Sequence, residues 1–214
     1  MGDCVIDPLS FDCTGLRNTY LMESLVLLAV IGVVITSLGL LVLDNPRFLL
    51  GSMVLQYLFV FFLVSSLWPI GLAVVKLIVG WIVCSLIGSA YLHSESTCEG
   101  EINNARNIFS ALSAVVIWLI VFTISSQGIA ILPLERPFII AAGILIGMGI
   151  LQLGSTTHLP RILFGLMTVL SGFEVFYAGL EQSVLVTGLL AIIYIIFGFM
   201  GWYMLNHNNH LVKA

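Results

Sequence analysis

The sequence predicts an all-α integral membrane protein with about seven transmembrane helices in a 3+1+3 parallel internal repeat. The first observation is composition: 60% of the 214 residues are hydrophobic and 8% are charged, whereas a typical soluble domain has about 25% charged residues. The second is a series of apolar runs of about 20 residues, the length of helix that crosses about 30 Å of hydrocarbon. The third is a near-copy of one segment 114 residues further along the chain.

The apolar runs define the predicted helices. They span roughly residues 21–43, 47–66, 69–92, 108–128, 137–156, 160–180 and 182–205. Most breaks are short and contain proline, as in DNPR at 44–47 and HLPR at 158–161, and proline ends one helix or begins the next. The longer break, at 93–107, is predicted to be a loop.

The duplicated segment sets the domain organisation. PRFLLGSMVLQYLFVFFLVSSL at 46–67 resembles PRILFGLMTVLSGFEVFYAGLE at 160–181, with Pro-Arg, Leu, Gly and Met at the same spacing. A fixed offset of this kind indicates an internal duplication, and an odd linker helix gives both triplets the same orientation. The predicted units are a polar N-terminal segment 1–20, a first three-helix repeat 21–92, a loop and linker helix 93–136, a second three-helix repeat 137–205 and a tail 206–214.

Charge distribution predicts the orientation. Seven helices place the termini on opposite sides of the membrane. Cationic residues on the side of the C-terminus outnumber those on the side of the N-terminus by four to two: Arg47, Arg106, Arg161 and Lys213 against Arg17 and Arg136. The positive-inside rule therefore predicts an outer N-terminus and a cytoplasmic C-terminus. No basic cluster is present, which argues against a nucleic-acid partner.

Two charged residues fall inside the predicted spans, Lys76 and Glu174. A charge at membrane depth costs at least about 2.5–3.5 kcal/mol, so such residues normally face protein or water and often have a function. One interpretation is a buried path for protons or cations, to which Gln56 and Gln152 are further candidates. The other is a structural pair, or side chains that reach the interface.

Cysteine and histidine give little sign of a bound group. Cys4 and Cys13 lie on the predicted outer side, where they either form a disulfide or remain free thiols. No histidine lies well within a predicted span and no CxxC occurs, so the sequence indicates no metal site and no cofactor. His207 and His210 could bind a metal weakly, but a solvated tail is the favoured interpretation.

The arrangement of Arg47, Gly51 and Gln56 at the start of a helix resembles a motif of small antiporter-like membrane subunits. The similar proteins are hydrogenase-4 component E, the K subunit of Complex I and the C subunit of Mrp antiporters. Lys76, in AVVKLIVGWI, matches a lysine in the next helix of that family, and Arg161, Phe164 and Gly165 match in the second half. The resemblance covers about residues 40–92 and 145–205.

This resemblance implies a multi-pass subunit of a bacterial-type inner membrane, with other membrane subunits and lipid as its partners. It also implies that the parent assembly translocates ions, for example as an oxidoreductase. The family carries a glutamate of the proton path nine residues after the second arginine. Here that position is Leu170, and Glu174 follows one helical turn later on the same face.

Three functions follow from these observations. The first is a non-catalytic subunit of a proton- or cation-translocating complex that contributes a Glu–Lys relay. The second is a scaffold subunit without ion conduction, favoured by Leu170 and by the low polar content of the spans. The third is a free-standing carrier of small solutes. No nucleophile–base pair or phosphate-binding loop is present, so the sequence indicates no catalytic site of its own.

Overall fold

The computed structural model describes residues 13–43, 45–94, 104–128, 134–156, 159–181 and 183–213. The regular structure of these ranges is helical: α1 Cys13–Val42, α2 Pro46–Leu67, α3 Ile70–Ser94, α4 Asn104–Gly128, α5 Arg136–Ser155, α6 Leu159–Leu180 and α7 Val184–Lys213. Each helix contains a stretch long and apolar enough to cross a membrane, and these stretches agree with the predicted spans to within two residues. Seven apolar helices indicate a multi-pass membrane protein.

Proline marks several helix starts. Pro46 is the first residue of α2, and Asn45 before it is extended. Pro69 separates Trp68, also extended, from α3. Proline suits these places because its fixed φ matches a helix and the missing N–H would have no partner in the first turn. The proline-containing breaks therefore begin the helices where the sequence predicts.

Several helix ends lie beyond the predicted bounds. α1 begins at Cys13, inside the predicted N-terminal segment, and α7 continues to Lys213 through most of the predicted tail. α3 and α4 likewise extend into both sides of the predicted loop at 93–107. An apolar run marks only the part of a helix suited to hydrocarbon. Backbone hydrogen bonding continues past it until a residue or a cap stops it.

Helix packing relates the two predicted triplets. α1 contacts α5, α2 contacts α6 and α3 contacts α7, so each helix of the first triplet touches its counterpart in the second. α4 packs on α5 and α1, outside this arrangement. α5 and α6 form the most extensive contact, and α6 is the most buried of the seven helices. Residues of α6 therefore lie at the centre of the bundle.

Glycines allow α5 and α6 to approach closely. A Cβ on Gly149 would lie 2.8 Å from the carbonyl oxygen of Gly165, and one on Gly172 would lie 2.8 Å from the backbone nitrogen of Ile146. Gly51, the counterpart of Gly165 in the first copy, has no such neighbour within 4 Å. Small residues are the usual means by which membrane helices pack backbone to backbone. The two copies of the motif thus share glycine but not the packing that requires it.

The last turn of α1 is held by side chains from the second half. Arg161 Nη2 donates to the carbonyl oxygen of Leu43 at 2.6 Å, and Gln152 Nε2 donates to that of Leu40 at 3.4 Å. The last carbonyls of a helix have no partners within it, and a cation there also favours the helix dipole. Gln152 therefore links the end of α1 to α5, and Arg161 links it to α6.

Candidate functional site: a buried ion pair and its cavity

Lys76 and Glu174 lie at a similar depth on two different helices. Lys76 is six residues after the start of α3, and Glu174 is six residues before the end of α6. At 1.5 Å per residue each lies about 9 Å inside its helix end. These two ends are adjacent, because Trp68, just before α3, bonds to Ala178 near the end of α6.

The Lys76 ammonium and the Glu174 carboxylate form an ion pair. The exposed fraction of the side chain is 10% for Lys76 and 4% for Glu174. The attraction between two opposite charges in contact offsets much of the free energy lost when both are removed from water. A single unpaired charge at this place would be strongly destabilising. The structure thus brings together the two charged residues that the sequence singles out, one from each half of the chain.

Trp68 completes the surroundings of the lysine. The Lys76 Nζ atom lies 4.8 Å from the centroid of the Trp68 ring, a distance suited to a cation–π contact. The indole N–H of Trp68 donates to the carbonyl oxygen of Ala178 at 3.0 Å. Trp68 is itself buried, so it holds the turn between α2 and α3 against the end of α6 and covers the ammonium.

Replacing Trp68 with Phe should lower the free energy of unfolding by about 1–3 kcal/mol, because the carbonyl of Ala178 loses its buried donor. The aromatic face over Lys76 is retained in this variant. Thermal unfolding in detergent measures the change, with Trp202→Phe on the more exposed surface of α7 as the matched control. Equal effects of the two substitutions would show that the hydrogen bond contributes nothing specific.

A cavity adjoins the ion pair. It is lined by α2, α3, α6 and α7, and includes Tyr57, Lys76, Glu174 and Tyr194. The space open to the centre of a water molecule is about 20 Å³, which is enough for about one water. The cavity therefore suits a single water beside the carboxylate and is too small for an organic solute.

Hydroxyl groups extend the site toward the middle of the bundle. The hydroxyls of Ser171 and Tyr194 lie 3.2 Å apart and share a hydrogen bond, and Tyr194 lines the same cavity as Glu174. The Tyr57 and Tyr194 rings pack edge to face with centroids 6.0 Å apart. Hydroxyls both donate and accept hydrogen bonds. The Glu174 carboxylate, a space that fits one water and the hydroxyls of Tyr194 and Ser171 thus form a short series that can exchange protons once the space is hydrated.

The cavity lies between the two predicted triplets. Eight of its lining residues form four pairs whose members are separated by the 114-residue offset. These pairs are Val60 and Glu174, Lys76 and Leu190, Leu77 and Ala191, and Gly80 and Tyr194. Each charged residue is matched by an apolar one at its counterpart position, so the two halves contribute opposite charges to one site.

The two glutamines lie elsewhere. Neither Gln56 nor Gln152 lines the cavity. Gln152 holds the end of α1, as described above, while both polar atoms of the buried Gln56 carboxamide lack a hydrogen-bond partner among the described residues. The structure therefore brings together two of the four candidates for the ion path, Lys76 and Glu174, and places the other two outside the cavity lining.

The cysteine and metal predictions fall largely outside the described side chains. Cys4 precedes the described residues, and only the backbone of Cys13 is described, within α1. The same holds for His207 and His210 in α7. Within the ranges that the structure describes, no group of three His, Cys, Asp or Glu residues could hold a metal ion.

Sequence reasoning missed Trp68, Ser171 and the two tyrosines of the cavity. Aromatic residues are common in apolar spans, so none of them stands out by type. The 114-residue offset could have drawn attention to Tyr57, because Ser171 is its counterpart and both carry hydroxyls. Comparison with protein-family models, curated proteins and solved structures finds no match for this chain.

Proposed function

We propose that this chain is a non-catalytic subunit of a multi-subunit membrane complex that translocates protons or other cations. In this proposal Glu174 and Lys76 act as a proton relay within an internal 3+1+3 repeat. The N-terminus lies outside and the C-terminus in the cytoplasm of a bacterial-type inner membrane. The motif shared with small antiporter-like subunits supports the assignment, as do the contacts between counterpart helices.

The observation that carries the proposal is the buried ion pair at a cavity of water size. A structural pair needs no adjoining cavity and no series of hydroxyls. A proton-transfer site needs a titratable group, a nearby cation that influences its protonation and a water or hydroxyl to take the proton. Glu174 and Lys76 form the ion pair, and both line the cavity together with Tyr194. The absence of Glu at Leu170 is then offset by Glu174 one turn later.

The test is ion translocation by the intact assembly carrying Glu174→Gln. This variant keeps the shape of the side chain and removes its exchangeable proton. We therefore expect coupled proton uptake per recovered complex in proteoliposomes to be abolished, whatever the unpaired Lys76 does to the yield of the complex. The matched control is Glu135→Gln, an exposed carboxylate just before α5. Unchanged translocation in the Glu174 variant would eliminate the relay.

A second candidate function is a scaffold that does not conduct ions. It is favoured by the core between the tyrosines and the start of α2. There the buried Gln56 carboxamide has no hydrogen-bond partner among the described residues, and a cluster of buried apolar residues closes the bundle: Leu49, Met53, Ile87, Leu163, Phe164 and Met167. None of these six apolar residues lines the cavity beside the ion pair, so the cavity does not extend along them. A scaffold predicts that Glu174→Gln weakens recovery of the complex but leaves its translocation per complex unchanged.

A further inference from the structure

A surface groove runs between α2 and α3, away from the ion pair. Its lining residues are Arg47, Leu50, Gly51, Val54, Leu55, Leu58 and Trp81, and the space open to the centre of a water molecule is about 490 Å³. The six residues on α2 follow the spacing i, i+3, i+4, i+7, i+8 and i+11, so they form one face of that helix. We call this feature the α2–α3 groove.

The length of the groove corresponds to one leaflet of a bilayer. Arg47 is the second residue of α2, and Leu58 lies eleven residues further on, which is about 16 Å along the helix axis. The hydrocarbon of a bilayer is about 30 Å thick. The groove thus extends from the interface, at Arg47, to about the midplane, at Leu58 and Trp81.

Charge and shape differ between the two ends. Arg47 is exposed and forms no ion pair with a described residue. Beyond it the walls are apolar, and the floor is open at Gly51, where a Cβ would meet no atom within 4 Å. A second surface groove, between α4 and α5, includes Gly147, Gly154 and Ser155 but no charged residue. Only the α2–α3 groove of these two combines a cation at the interface with a long apolar floor.

We propose that the α2–α3 groove binds one anionic phospholipid, with the phosphate at Arg47 and an acyl chain over Gly51. Arginine binds phosphate through two parallel hydrogen bonds, which a lysine or a neutral side chain cannot reproduce. Basic sites at the ends of membrane helices are known to select anionic headgroups. Beyond Arg47 the groove is apolar and about as long as an acyl chain within one leaflet. It therefore favours a lipid over a soluble phosphate.

The test counts the lipids retained by protein taken from bilayers of equimolar phosphatidylglycerol and phosphatidylcholine into mild detergent. The wild type should retain phosphatidylglycerol in preference to phosphatidylcholine. Arg47→Gln should bind phosphatidylglycerol about tenfold more weakly, the effect of losing a charge-assisted contact. Gly51→Leu should fill the floor and prevent retention, with an unchanged unfolding temperature in detergent without lipid.

Gly154→Leu is the matched control, because Gly154 also has open space around it and belongs to the α4–α5 groove. It should retain lipid as the wild type does. The proposal is overturned if the wild type retains both lipids equally, if Gly51→Leu still retains phosphatidylglycerol, or if Gly154→Leu loses it equally. A dimer that Gly51→Leu dissociates would also overturn it, since the occupant would then be a second copy of the chain.

Discussion

Replacing Lys76 alone with Met should lower the free energy of unfolding by about 3–5 kcal/mol, because the buried Glu174 carboxylate loses its partner. Replacing Glu174 alone with Met should have a similar effect by leaving the ammonium without an anion. The double substitution should recover most of this loss. Apolar side chains of similar volume often replace a buried ion pair at little cost, since two desolvated charges are removed together.

Denaturant or thermal unfolding of the four proteins in one detergent gives the coupling energy between the two positions. The control is Glu135→Met, which changes an exposed carboxylate and should alter stability by less than about 0.5 kcal/mol. If the two single losses simply add in the double variant, to within about 0.5 kcal/mol, the residues are not coupled. That result would contradict a direct ion pair.

Gly172→Ala should destabilise the bundle by about 1–3 kcal/mol, whereas Gly51→Ala should leave it unchanged or slightly more stable. A Cβ on Gly172 would meet backbone and side-chain atoms of α5 at 2.8 Å, and such overpacking forces the helices apart. At Gly51 a Cβ meets nothing within 4 Å, so only the better helix propensity of alanine remains. The same substitution thus has opposite expected signs at two glycines.

Unfolding in detergent measures both changes, and Gly188→Ala in α7 is a second control, because its surroundings are also open. Equal destabilisation at Gly172, Gly51 and Gly188 would mean that the effect does not depend on the neighbouring helix. The close contact of α5 with Gly172 would then not be its cause. Stabilisation by Gly172→Ala would contradict the close packing of α5 on α6.

The sequence alone predicts the seven spans to within two residues, because hydrocarbon imposes both length and composition on each one. It predicts the ends of α1 and α7 less well, since helices continue into polar sequence where nothing stops them. The motif shared by the two copies predicts equivalent positions. It could not show that Gly165 packs against α5 while Gly51 is open, because that difference depends on neighbouring helices.

The two charged residues of the site could be predicted from the sequence, since Lys76 and Glu174 carry charge inside apolar spans. Their contact could be offered only as one interpretation, a structural pair, because they are 98 residues apart and no local pattern joins them. Trp68 and Tyr194 were missed for a different reason. An aromatic side chain in an apolar span is normal, and its role follows only from the atoms placed around it. Gln56 and Gln152 share the same residue type, yet only Gln152 finds a partner.

The relay account depends on Glu174 gaining and losing a proton while the assembly works. Infrared difference spectroscopy of the reconstituted assembly, at rest and during turnover, measures this at the carboxyl itself. We expect a band of a protonated carboxyl that appears during turnover, disappears in Glu174→Gln and persists in Glu135→Gln. Turnover with no band assignable to Glu174 would contradict the account.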